Sequence, residues 1–114
     1  MKWKNKGHEY DDMFKNISEK KGFYLFGAGD YGHQFLKMFK EEINIIGFID
    51  NSTSKAGTLI EGIKCFAFND VNLKEDEGII LTMSQIARMK PVEQLKRAGR
   101  IHNQDYFLIE EFVS

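Results

Sequence analysis

The ten residues from Phe23 to Gly32 constrain this chain more than any other stretch. The apolar run Phe23-Tyr24-Leu25-Phe26 leads into Gly27-Ala28-Gly29-Asp30-Tyr31-Gly32, a Gly-x-Gly-x-x-Gly spacing. Phe48-Ile49-Asp50 follows about twenty residues later. A short, wholly apolar run predicts a strand covered on both faces. The glycines predict a tight turn, then a backbone open to close approach, then a helix packed hard against the strand. The amides that open such a helix, with the positive end of its dipole, suit an anion. Asp50 stands where a ribose would arrive. The motif points to a nucleotide-like ligand far more clearly than to a reaction.

Helical periodicity supports this reading. A helix from about Gly29 to Glu42 would turn Gly32, Phe35, Leu36 and Phe39 inward, so the third glycine falls on the core-facing stripe. Further strands are expected at Ile45–Asp50, Ile63–Phe66, Gly78–Thr82 and Tyr106–Ile109. Asn51 to Gly62 is too polar and glycine-punctuated for a confident helix and reads as an ordered loop. Asn69 to Glu77 reads as a loop or a single turn. Ser84 suits a helix cap, and Pro91 either interrupts that helix or opens a second one, which Gly99 ends. Strands alternating with helices predict an α/β fold: a single three-layer domain with a mostly parallel sheet of about five strands over residues 22–114.

Before this domain, residues 1–21 form an N-terminal extension. Tyr10, Met13, Phe14 and Ile17 recur at i, i+3, i+4 and i+7 and predict an amphipathic helix that packs on the domain or on a partner. It is a candidate surface for self-association or docking.

Composition narrows the classes. A formal net charge of −1 gives no electrostatic case for nucleic acid or an anionic membrane. No apolar run approaches the roughly 20 residues of a spanning helix, and the polar, charged start does not resemble a signal peptide, so a cytoplasmic location is expected. Cys65 is the single cysteine. His8, His33 and His102 show no metal-type spacing. The chain has no Gly-x-Ser-x-Gly elbow, no Walker-type lysine and no tyrosine followed four residues later by lysine. No catalytic residue is assigned.

The candidate site gathers Gly27, Ala28, Gly29, Asp30, Tyr31, Gly32, Asp50, Asn51, Lys55 and Thr82 at the carboxyl edge of the sheet. Backbone amides of the glycine turn would hold phosphate, and Asp50 the ribose hydroxyls. No arginine follows Asp50 to receive a 2′-phosphate, which favours NAD over NADP. Asp30 competes: in the first turn its carboxylate could cap the amides a phosphate would use. Asn51, Lys55 and Thr82 would form the rim, and Tyr31 could stack on a ring. Ser84 could offer a hydroxyl in place of a cap.

Tyr24 to Gly32, Gly47-Phe48-Ile49-Asp50-Asn51, Lys55-Ala56-Gly57 and Gly62-Ile63 together resemble the small Rossmann-like domain of bacterial surface-polysaccharide enzymes. Similar domains open nucleotide-sugar acetyltransferases and polysaccharide-type sugar dehydratases. The likeness spans roughly residues 22–109 and is strongest at the glycine turn and the Gly-Phe-Ile-Asp-Asn strand end. It implies a nucleotide or nucleotide-sugar ligand at Gly27, Gly29, Gly32, Asp50 and Asn51. The catalytic modules of those enzymes have no counterpart in these residues, so the expected role is an accessory or recognition module. The alternatives are an interaction domain with a filled pocket and a small NAD-dependent oxidoreductase.

Overall fold

The computed structural model describes residue 13 and residues 15–112. Five parallel strands form the body of the sheet: β1 (Gly22–Phe26), β2 (Ile45–Ile49), β4 (Ile63–Phe66), β5 (Glu77–Leu81) and β6 (Tyr106–Leu108). A sixth, β3 (Leu59–Ile60), pairs antiparallel with β4 at one edge, giving the order β3-β4-β2-β1-β5-β6. The chain builds outward from β1 to β4, then returns to the other side of β1 to place β5. The C-terminal ends of β1 and β5 therefore lie side by side where the strand order reverses.

The expected loop over 51–62 thus ends in a strand. Glu61 and Gly62 have φ of 50° and 81°. A two-residue turn with both residues left-handed matches the twist of paired strands and closes the hairpin between β3 and β4.

Two helices follow β1 and β5: α1 (Asp30–Phe39) and α2 (Met89–Arg97). The stripe Gly32, Phe35, Leu36 and Phe39 is the buried face of α1. It packs with Phe23, Leu25, Phe48, Ile80 and Phe107 in one core cluster. The intervening strand residues Tyr24, Phe26, Ile49, Ile79, Leu81 and Tyr106 belong to a second cluster, together with Leu95 of α2. This alternation is the period of two expected of strands covered on both sides. Each large apolar side chain so buried stabilises the fold by about 1.5–3 kcal/mol.

Pro91 falls in the first turn of α2, behind a separate 3₁₀ turn at Ile86–Arg88. Its missing N–H costs nothing in a first turn but prevents a regular helix from running back through it. At the other end Gly99, at φ 79°, closes α2: its N–H reaches Lys96 O, and that of Arg100 reaches Leu95 O.

Residues 15–18 are helical, and Met13 and Ile17 are buried in the same cluster as α1. These two side chains of the predicted amphipathic face pack on the domain itself. Tyr10 and Phe14 lie outside the described residues. No helix among the described residues is long and apolar enough to cross a membrane.

Candidate functional site

The glycine turn is pinned to both neighbouring strands. Gly27 N–H donates to Ile49 O at 2.8 Å, and Thr82, 2% exposed, donates its hydroxyl to Gly27 O at 2.8 Å. Gly27 has a φ of +115°, and a β-carbon there would stand 2.7 Å from Thr82 O. At Gly32 a β-carbon would meet Gly27 O at 2.1 Å and the Phe48 ring at 3.1 Å. The first and third glycines are thus required by the fold: α1 can lie this close to β1 only without a side chain.

Gly29 differs. It is the N-cap of α1 at φ −89° and ψ −153°, extended backbone outside the left-handed region that demands glycine. A β-carbon there would meet only Lys55 Nζ, at 4.0 Å. No side chain caps the helix, and Asp30 stands exposed in its first turn. The competing role for Asp30, capping these amides with its own carboxylate, is not adopted. The opening amides of α1 therefore keep their dipole end directed outward.

Asp50, just beyond β2, faces the turn. Its Oδ2 accepts the Ala28 N–H at 2.9 Å and its Oδ1 accepts the Ser52 N–H at 2.8 Å. One carboxylate thus fixes the glycine turn and the start of the 51–58 segment that carries Lys55. Both groups act on Cys65 below: burial pushes its thiol pKa up, Asp50 adds to the rise and Lys55 opposes it. Asn51 and Gln94 exchange side-chain amide hydrogen bonds of 2.8 and 3.1 Å, tying the β2 end to α2 across 43 residues of sequence.

These elements enclose a cleft of about 400 Å³ at the carboxyl edge of the sheet. Gly27, Gly29, Asp30, Tyr31, Asp50, Asn51, Lys55 and Thr82 line it, bringing together eight of the ten residues chosen from the sequence. Ala28 and Gly32 sit behind it, buried in the turn. Phe26, Met83, Ser84, Ala87, Lys90 and Pro91 complete the lining. Ala87, Lys90 and Pro91 escaped the sequence reading because the path from β5 into α2 was ambiguous there. Placing Pro91 in a helical first turn would have directed all three toward the cleft. Ser84, expected to cap a helix, instead precedes Gln85, the N-cap of the 3₁₀ turn, and its backbone carbonyl and hydroxyl both accept from Ala87 N–H at 3.1 and 3.4 Å.

The described histidines lie elsewhere. His33 pairs with Glu61 at 3.7 Å, and His102 Nε2 meets Glu111 at 2.7 Å while its ring stacks on Tyr106. Among the described residues no group of His, Cys, Asp or Glu is arranged to hold a metal ion. Among the described residues, further depressions lie over the outer face of α2 and, as a polar hollow, near Glu75 and Asp105. Neither has a glycine turn or an uncapped helix start.

Compared with family models, characterised proteins and solved structures, the chain matches none.

Proposed function

We propose that this chain is a Rossmann-like binding domain whose cleft takes a nucleotide, either NAD or a nucleotide-sugar. The observation that carries this reading is Gly29. Neither its backbone conformation nor its packing calls for glycine, yet it faces the cleft beside the Lys55 ammonium, 4.0 Å from where a β-carbon would stand. A phosphate laid against the backbone needs that space and that charge.

The roles follow from the geometry. Amides from Gly29 onward, at the uncapped start of α1, hold phosphate with Lys55. Each Asp50 oxygen accepts one backbone amide. A carboxylate oxygen has a further lone pair for a ribose hydroxyl. Met83 and Pro91 supply an apolar wall for a base or sugar, with Tyr31 at the mouth. The resemblance of the glycine turn and the Gly-Phe-Ile-Asp-Asn strand end to polysaccharide-enzyme domains supports an accessory or recognition role in sugar modification.

The test is a thermal-shift panel of NAD, NADP, UDP-sugars, coenzyme A and S-adenosylmethionine, run on the native chain and on Gly29→Val. A ligand at 100 times its Kd adds about 2.7 kcal/mol, which raises the melting temperature by several degrees. NAD or a UDP-sugar should give that shift on the native chain, and Gly29→Val should fold normally and lose it. No shift with either at millimolar concentration, or an equal shift with Gly29→Val, overturns the assignment.

A further inference from the structure

The strand order along the carboxyl edge sets how a ligand lies in the cleft. Asp50 follows β2, the glycine turn follows β1, and Thr82, Met83 and Ser84 follow β5, in the spatial order β2-β1-β5. On the nucleotide reading, on which this inference rests, the ribose takes the first place and its phosphate the second. Whatever the ligand carries beyond that phosphate then arrives at the third, beside the start of α2.

The second and third places differ in what they offer an anion. The start of α1 presents backbone amides, with the Lys55 ammonium near Gly29. The first turn of α2 contains Pro91, which has no N–H to give. An anion on that side must be met by a side chain. Lys90, next to Pro91, is the one charged residue that the β5–α2 side contributes to the cleft lining. Among the described residues its ammonium has no ion-pair or hydrogen-bond partner. Two carboxylates line the cleft as well, Asp30 and Asp50. Asp50 directs both oxygens to backbone amides, so Asp30 is the free negative charge that an incoming anion meets. Lys55 offsets Asp30, which leaves Lys90 for a second negative group.

We propose that Lys90 is a specificity-determining residue that holds the second phosphate of a nucleoside diphosphate, while the glycine turn and Lys55 hold the first. The flexible four-carbon stem of lysine carries the charge into a cleft of about 400 Å³. The site then selects nucleoside diphosphates and their esters over nucleoside monophosphates.

The test titrates UMP, UDP and UDP-glucose, and in parallel AMP, ADP and NAD, by calorimetry on the native chain, Lys90→Met and Lys55→Met. Methionine keeps an unbranched apolar stem without the charge. Lys90 is exposed, and a melting curve checks the fold of each variant. In each series that binds, the native chain should take the diphosphate roughly tenfold or more tightly than the monophosphate. Lys90→Met should leave the monophosphate unchanged and weaken the diphosphate and its ester roughly tenfold, and Lys90→Arg should recover that loss. Lys55→Met should weaken all three, and rising salt should narrow the gap between mono- and diphosphate. Equal native affinity for mono- and diphosphate, an equal loss of both on Lys90→Met, or no loss at all overturns the proposal and leaves the nucleotide reading standing. No binding of any nucleotide at millimolar concentration overturns that reading and this proposal with it.

Discussion

Along the glycine-turn rim of the cleft, backbone groups are fixed by contacts that one added carbon would break. Along the α2 rim, large side chains stand in solvent and no comparable network holds them. The first rim is built from main-chain geometry: Gly27 against Thr82, Gly32 against Gly27, Asp50 bonded to two amides. The second is built from side-chain chemistry: Lys90 toward the cleft, Ile86 and Met89 away from it. The difference teaches that a rigid cradle and an adaptable surface can share one small sheet edge. The cradle is sensitive to shape and the surface to charge and polarity.

Three measurements break or sharpen this contrast. The largest effect is expected from Gly32→Ala, whose methyl would sit 2.1 Å from a carbonyl oxygen. Backbone must move, and urea denaturation should show a loss of about 3 kcal/mol or more. Gly29→Ala on the same rim replaces a tolerated N-cap residue by a poor one and should cost only about 1 kcal/mol, which separates a glycine needed for packing from one that leaves space. Equal losses at both positions would erase the distinction.

A smaller effect is expected from Thr82→Val. The shape is kept, but the hydroxyl that joins the β5 end to Gly27 O is lost, at a cost of about 1–2 kcal/mol by the same measurement.

The smallest concerns the α2 side. Burial alone would raise the Glu110 pKa, but the Arg88 hydrogen bond, a backbone hydrogen bond at Glu110 itself and the charges of Arg88 and His102 together outweigh it and hold the carboxyl below its ordinary value. The folded value lies below the unfolded one, so this contribution is present above about pH 4.3 and fades as pH falls through the lowered folded value. The Glu110 side chain is 55% exposed, so solvent screening keeps the effect modest. Melting temperature should fall slightly more steeply below about pH 4.3 for the native chain than for Glu110→Gln. Parallel curves would remove Arg88–Glu110 from the forces holding α2.

How much of this was legible in the sequence follows the same division. The glycine spacing, the inward stripe Phe35, Leu36 and Phe39, and the acidic end of β2 are local patterns, and the structure places each where periodicity put it. Steric requirements acting over a few residues leave a readable trace. β3 was missed because a two-residue strand has no period to detect, although Glu61-Gly62 between Ile60 and Ile63 offered a glycine where a turn could form. The Asn51–Gln94 contact left no trace, since two amides far apart in sequence have no pattern that foretells their meeting. The lining from α2 was obscured by Pro91, which is compatible with either a break or a beginning.

That amide contact has a consequence for how the molecule behaves under changing conditions. Each partner gives one donor and one acceptor to the other, and neither carries charge. Ionic strength and acidity, which loosen pairs such as Arg88–Glu110, leave a neutral clasp of this kind untouched. The seam where β2 meets α2 should therefore stay shut in brine or weak acid while charged contacts nearby let go.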